Sequence, residues 1–143
     1  MTDSRSVAYD LEEGTTLKLD FSKIAKASEQ CPDVIPVAVQ NADTKEVILI
    51  AYTNKEAMDR SIRSRSATFW STSRNELWIK GKGSGNQFEL LEVRVNCEQN
   101  SLVYIVKPQG EGICHTKNSA GRARDCYYRR LDMTTGDLVN LDP

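Results

Sequence analysis

From Val34 onward the apolar positions recur with the two-residue period of strands, interrupted by one stretch with helical spacing. Val34–Gln40 is β-favouring, residues 41–45 (NADTK) have turn chemistry, and Val47–Tyr52 is apolar and partly β-branched, a pattern that predicts a hairpin. Asn54 is placed to cap a short helix through about Ser64, with Ala57, Met58 and Ile62 roughly on one face. Ala67–Trp70 and Glu76–Ile79 predict a second strand pair around the polar turn at 71–75. Beyond a loop containing Gly81, Gly83 and Gly85, Phe88 and Leu90 alternate, and then Leu91, Val93 and Val95 alternate in the opposite parity. Such a switch inside one strand predicts a β-bulge, although a misplaced strand boundary gives the same pattern. Leu102–Val106 is the last clear strand, and the remainder is loop-like and basic before an acidic-polar tail. The first 33 residues contain only a short Leu17, Leu19, Phe21 alternation and a helical turn through Ile24 and Ala25, which Cys31-Pro32 ends. The predicted fold is α+β, a mainly antiparallel sheet with short helices in a single domain at 34–130. An extension at 1–33 and a tail at 131–143 flank it.

Composition narrows the partners. The 143 residues carry 19 Lys+Arg and 20 Asp+Glu, a net charge of −1, with 39% hydrophobic and 27% charged residues. Nucleic-acid and membrane-surface binders show a clear basic excess, so both are excluded as expectations. The longest apolar stretch, Val47–Tyr52, is strand-sized rather than membrane-spanning, and Met1–Asp10 lacks an apolar signal core. A cytoplasmic location is therefore expected.

Scarce residues narrow the chemistry. His115 is the one histidine, and the four cysteines are Cys31, Cys97, Cys114 and Cys126. In a reducing compartment these are thiols or metal ligands before they are disulfides. Cys97, Cys114 and Cys126 fall at predicted strand ends or in loops, where three thiolates and an open position suit a catalytic zinc. Their spacing is not that of a zinc finger, and three unreactive cysteines fit it as well. His115, next to Cys114, is placed to exchange protons near neutral pH, or is a loop histidine bonded to backbone. The loop at 80–86 matches neither the P-loop nor the dinucleotide fingerprint, and it reads as a phosphate cradle or a plain hairpin loop. Arg122, Arg124, Arg129 and Arg130 surround Cys126 as an anion site or as a solvated basic loop. Trp70 and Trp78 are candidates for stacking on a purine or for the core.

Taken in order along the chain, several blocks resemble the phosphoribosyl-AMP cyclohydrolase family. They are PVAVQNA at 36–42, AYTNKEA at 51–57, ATFWS at 67–71, LWIKG at 77–81, SGN at 84–86, CHT at 114–116 and CYYR at 126–129. The resemblance implies hydrolytic opening of the adenine ring of N1-(5-phosphoribosyl)-AMP, by addition of water at C6 and cleavage of the N1–C6 bond, in histidine biosynthesis. It also implies an intertwined homodimer with an intersubunit zinc, whose three cysteines map to Cys97, Cys114 and Cys126. Zinc would lower the pKa of its water, and His115 would shuttle the proton to the ring nitrogen. Arg74, Trp78, Lys80, Lys82, Ser84, Gly85, Asn86 and Thr116 lie in the blocks that would face the phosphorylated nucleotide.

Four departures accompany the match. The family's D-C-D-x-D around the first zinc cysteine binds magnesium. Here the run is Asn96-Cys97-Glu98-Gln99-Asn100, so Glu98 is the one carboxylate left and a full magnesium site is not expected. The family's K-G-E-T-S-G-N reads KGKGSGN at 80–86, with Lys82 in place of an acid and placed to contact phosphate directly. Its S-R-S reads Ser71-Thr72-Ser73, and the Cys114–Cys126 interval is longer than usual. Two alternatives stay open beside the cyclohydrolase: a zinc hydrolase of the same fold acting on another purine-like nucleotide or amidine, and a non-catalytic zinc-stapled dimer that binds a nucleotide or protein partner.

Overall fold

The computed structural model describes residues 4–79, 87–110 and 113–143. Helices α1 (Ser4–Glu13) and α2 (Lys23–Gln30) come first. The Leu17, Leu19, Phe21 alternation between them forms no strand, and Phe21 is 91% exposed. Strands β1 (Ile35–Asn41) and β2 (Val47–Thr53) then form the expected antiparallel hairpin. Residues two apart on a strand point to one face, and accordingly Val37 and Val39 are fully buried.

Helix α3 (Lys55–Ser64) starts where Asn54 Oδ1 accepts the Ala57 N–H at 3.0 Å, the cap expected from the sequence. It is tied to strand β3 (Thr68–Ser71) by Ser61, which is fully buried. The Ser61 hydroxyl donates to the Ala57 carbonyl (2.9 Å) and accepts the Thr68 N–H (2.9 Å). Strand β4 (Glu76–Ile79) pairs with β3 across the polar turn.

Strands β5 (Phe88–Val95) and β6 (Leu102–Pro108) complete a four-stranded sheet of order β2-β1-β6-β5. The β5–β6 register shifts between Leu90 and Glu92, so the parity switch is a true bulge. The sheet is mixed rather than wholly antiparallel, because β6 runs parallel to β1, with Val37 opposite Leu102 and Asn41 opposite Val106. One face carries the core of Val37, Val39, Ile48, Phe69, Phe88, Tyr104 and Val106, with the Phe69 ring 5.5 Å from Trp78 and 5.9 Å from Tyr104. No helix among the described residues is long and apolar enough to cross a membrane.

The C-terminal part differs from the loop and tail that the sequence predicts. Strands β7 (Arg129–Leu131) and β8 (Leu138–Asn140) form a short hairpin. Its Leu138 N–H donates to the Thr15 carbonyl (2.7 Å), joining the two ends of the chain. Runs of three residues carry too little alternation to be recognised as strands.

Candidate active site

Cys114 and Cys126 lie on the two arms of a narrow ribbon. The Ile113 and Cys114 N–H groups both donate to the Arg124 carbonyl (3.0 and 2.6 Å), and the Arg124 N–H donates to the Thr116 carbonyl (3.2 Å). A bridge between Lys117 and Ala123 continues the ribbon, and Gly121, with φ +78°, turns it. Asn118 Oδ1 accepts the Ala120 and Arg122 N–H groups within that turn. The residues that lengthen the Cys114–Cys126 interval therefore form an ordered hairpin whose two arms carry Cys114 and Cys126. The ribbon hangs on the edge of the main sheet, where the Cys126 N–H donates to the Ile48 carbonyl at 3.2 Å.

Each thiol has a distinct environment. Thr116 Oγ1 donates to Cys114 Sγ at 3.2 Å. Cys126 is exposed as a residue, yet protein packed about its sulfur removes part of its hydration. That desolvation first, then the neighbouring Cys114 and Asp125, pushes the Cys126 thiol above its ordinary value of 9.0. Two thiols carried on one ribbon are a soft-donor pair of the kind that zinc takes. His115 projects from the same arm, 77% exposed, and its Nε2 lies 2.6 Å from Glu12 Oε1.

Cys97 is elsewhere in the chain. It lies in the β5–β6 turn, beyond the sheet end where Val37 faces Leu102, whereas Ile48 lies near Val39 and Gln40 on β2. Strands in a sheet are roughly 4.8 Å apart, so β2 and β6, two places apart in the sheet, are separated by about 10 Å. Among the described residues no three Cys, His, Asp or Glu side chains group closely enough to hold a metal within one chain.

The turn around Cys97 does not fit magnesium. Asn96 Oδ1 accepts the N–H groups of Asn100 (2.9 Å) and Ser101 (3.0 Å), and Asn96 Nδ2 donates to Asn100 Oδ1 (2.6 Å). Asn100 Nδ2 donates to Glu98 Oε2 (3.2 Å). The turn satisfies itself with amides, and its single carboxylate is already engaged, whereas magnesium asks for several free charged oxygens.

Arg74 and Trp78 belong to a second area on the same edge. A cleft of about 180 Å³ is lined by Ile50, Tyr52, Trp70, Ser71, Ser73 and Trp78 among others. It adjoins β2 two to four residues beyond Ile48, roughly 7–13 Å from the ribbon's anchor. Arg74, the residue after the lining Ser73, is exposed and pairs with Glu76 at 3.4 Å. Asn75 Oδ1 accepts from Trp70 Nε1 (3.0 Å) and from the buried Cys31 thiol (3.2 Å), which gives Cys31 a place in shaping the cleft. Lys80, Lys82, Ser84, Gly85 and Asn86 lie outside the described residues.

The arginine cluster divides. Arg124, 3% exposed, donates from Nη1 to Glu13 Oε1 (2.5 Å) and from Nε to the Asp142 carbonyl (2.8 Å), with its guanidinium over the Tyr128 ring. The Glu13 hydrogen bond first holds its pKa above the ordinary arginine value. Arg129 Nη1 donates to the Gly14 carbonyl (3.1 Å). Both are turned into the chain's own N-terminal segment. The roles of Glu12 and Glu13 have no signal in the sequence, because their partners are more than a hundred residues away.

The family model for phosphoribosyl-AMP cyclohydrolase matches residues 49–128, taking in the cleft, the Cys97 turn and the ribbon. The phosphoribosyl-AMP cyclohydrolase of Nitrosopumilus maritimus is 40% identical over 103 residues, covering 72% of this chain and 90% of that protein. The cyclohydrolase of Archaeoglobus fulgidus is 42% identical over 106 residues, covering 74% and 90%. A histidine biosynthesis bifunctional protein, HisIE, of Thermus thermophilus is 44% identical over 98 residues, covering 68% of this chain and 43% of that protein. Thiols, histidine and tryptophan cleft all fall within the matched span, and the chain belongs to the phosphoribosyl-AMP cyclohydrolase family.

Proposed function

We propose that this chain hydrolyses the N1–C6 bond of the adenine ring of N1-(5-phosphoribosyl)-AMP in histidine biosynthesis, as a zinc-dependent homodimer. The observation that carries the reading is the placement of Cys114 and Cys126 on the two arms of one ribbon, with the sole histidine next to Cys114, in a chain of this family.

Cys114 and Cys126 of one subunit and Cys97 of the partner subunit would hold the zinc. When bound, zinc lowers the pKa of its water toward neutrality and leaves an open position for substrate. His115 takes a proton from the attacking water and returns it to N1 as the N1–C6 bond breaks, so the ring opens with no net change in protons at the enzyme. The cleft between Trp70 and Trp78 offers indole faces to the purine. Arg74, the residue after the lining Ser73, can leave Glu76 for a phosphate, because an exposed ion pair of this kind holds only weakly.

The outer face of the main sheet supports the dimer. Ile50, Ala38 and Val103 form a cross-strand row on the face opposite the core, and Ile50 is 51% exposed. Burying such a surface against a second copy is favourable by roughly 25 cal/mol per Å².

The test is turnover of phosphoribosyl-AMP by the zinc-loaded protein, with and without added magnesium. Ring opening without magnesium is expected, given the self-satisfied amide turn at Asn96–Asn100. No ring opening under either condition, with zinc fully bound, sinks the reading and favours a different purine-like nucleotide.

A further inference from the structure

We propose that Glu12, near the end of helix α1, is a positioning residue for His115, fixing the imidazole proton on Nε2 and leaving Nδ1 as the basic nitrogen. The inference deepens the cyclohydrolase reading and rests on it for the role of His115. Glu12 itself lies outside the residues that the family model matches, which begin at residue 49.

The contact itself is Glu12 Oε1 to His115 Nε2 at 2.6 Å. A carboxylate only accepts hydrogen bonds, so at this distance Nε2 carries the hydrogen. Among the described residues Nδ1 has no hydrogen-bond partner, which leaves its lone pair for a proton. A base whose second nitrogen is held by a carboxylate is the usual way to select one tautomer and one ring orientation.

The pair is not a stability device. His115 is 77% exposed and Glu12 36%, and exposed pairs contribute little to stability. Yet the segment bearing Glu12 is anchored at consecutive residues to the chain on either side of Cys126. The Tyr128 hydroxyl donates to the Glu12 carbonyl, Arg124 pairs with Glu13, and Arg129 donates to the Gly14 carbonyl. Three anchors around one acceptor hold the carboxylate in place relative to the ribbon, which is what preorganisation of a reacting group requires.

Because the chain has a single histidine, its ring nitrogens can be observed directly. Zinc-loaded protein labelled with ¹⁵N-histidine, at about pH 9 where an ordinary imidazole is neutral, is expected to show a protonated Nε2 and an unprotonated Nδ1. Glu12→Gln is expected to give averaged tautomers. Its kcat should fall about tenfold or more, the scale seen when a histidine's outer partner is lost, with KM within about twofold and zinc content unchanged. Glu12→Asp should recover part of both signals, and it serves as the readout should Glu12→Gln fold poorly. A wild-type ring protonated on Nδ1, or ring signals identical in wild type and both variants, overturns the proposal. The nitrogen signals need no turnover, so absence of phosphoribosyl-AMP hydrolysis would count against the function while leaving the Glu12 contact separately tested.

Discussion

Glu13 Oε1 lies 2.5 Å from Nη1 of Arg124, joining the first helix of the chain to the ribbon two residues before Cys126. The Arg124 side chain is 4% exposed and that of Glu13 24%, so the guanidinium is the group that depends on its partner. Removing one member of a buried pair leaves an uncompensated charge, whereas removing both does not. Glu13→Ala is expected to destabilise the zinc-loaded protein by about 2–3 kcal/mol, discounted from the fully buried case because water reaches Glu13. The double variant Glu13→Ala/Arg124→Met should lose less than Glu13→Ala alone. Urea midpoints measure both, and a Glu13→Ala midpoint equal to wild type would show that α1 does not dock.

Gly14 makes the same docking testable through the backbone. A Cβ there would sit 2.3 Å from the Asp10 carbonyl oxygen, a backbone atom of the preceding helical turn that cannot swing aside. Gly14→Ala must therefore shift the end of α1, and with it the Gly14 carbonyl on Arg129 and the Thr15 carbonyl that accepts the Leu138 N–H. The expected result is about tenfold faster hydrogen exchange at the Leu138 amide, a local opening. Amides of Val37 and Val39, in the core of the main sheet, should keep their protection.

Local signals carried most of the sheet into view. Asn54 before an apolar-spaced run, the turn chemistry between Val39 and Val47, and the parity switch at Leu90 each act within a few residues. The parallel β1–β6 ladder was not legible, because a strand's own pattern says which face it buries and not which neighbour it takes. The β7–β8 hairpin escaped notice for its three-residue strands. At the site, the scarcity of cysteine and histidine singled out Cys97, Cys114, Cys126 and His115. Spacing alone did not show that Cys114 and Cys126 lie on the two arms of one ribbon while Cys97 lies in the β5–β6 turn. That depends on the ribbon bonds to the Arg124 carbonyl and on strand order. Arg124 misled in a different way: a loop arginine reads as a phosphate ligand until a glutamate from the first helix is found against it.

The terminal hairpin has its own pH signature. Asp132 Oδ1 accepts the Thr134 and Thr135 N–H groups at 2.8 and 3.1 Å. The Thr135 and Thr134 backbone bonds hold its carboxyl below the ordinary 3.8, with a smaller contribution from Arg130. A depressed folded value means that the charged form supports the turn above pH 3.8 and that this support is lost as pH falls through the lower folded value. The Thr134 and Thr135 amide resonances should therefore titrate with a midpoint below 3.8. In Asp132→Asn, which keeps an acceptor oxygen but does not ionise, that titration should vanish. A wild-type midpoint at or above 3.8 contradicts the capping role.

The placement of Cys97 away from Cys114 and Cys126 leads to a mixing experiment. If each zinc takes two thiolates from one subunit and one from its partner, Cys97→Ser and Cys126→Ser homodimers each lack a ligand at both sites and should be inactive. A hybrid dimer has one site with Cys97 from the Cys126→Ser subunit and both ribbon thiols from the Cys97→Ser subunit. Its other site lacks two ligands. After unfolding and refolding an equal mixture with zinc, about half the dimers are hybrids by random pairing of a two-fold assembly, and half of their sites are whole. About a quarter of wild-type turnover and about a quarter of the tightly held zinc should return. Sites completed within one chain would give no recovery, since every chain in the mixture carries a serine at one of the three positions. A Cys31→Ser subunit refolded alone serves as the contrast. That thiol donates to Asn75 beneath the tryptophan cleft, so its loss should alter stability and leave zinc content unchanged.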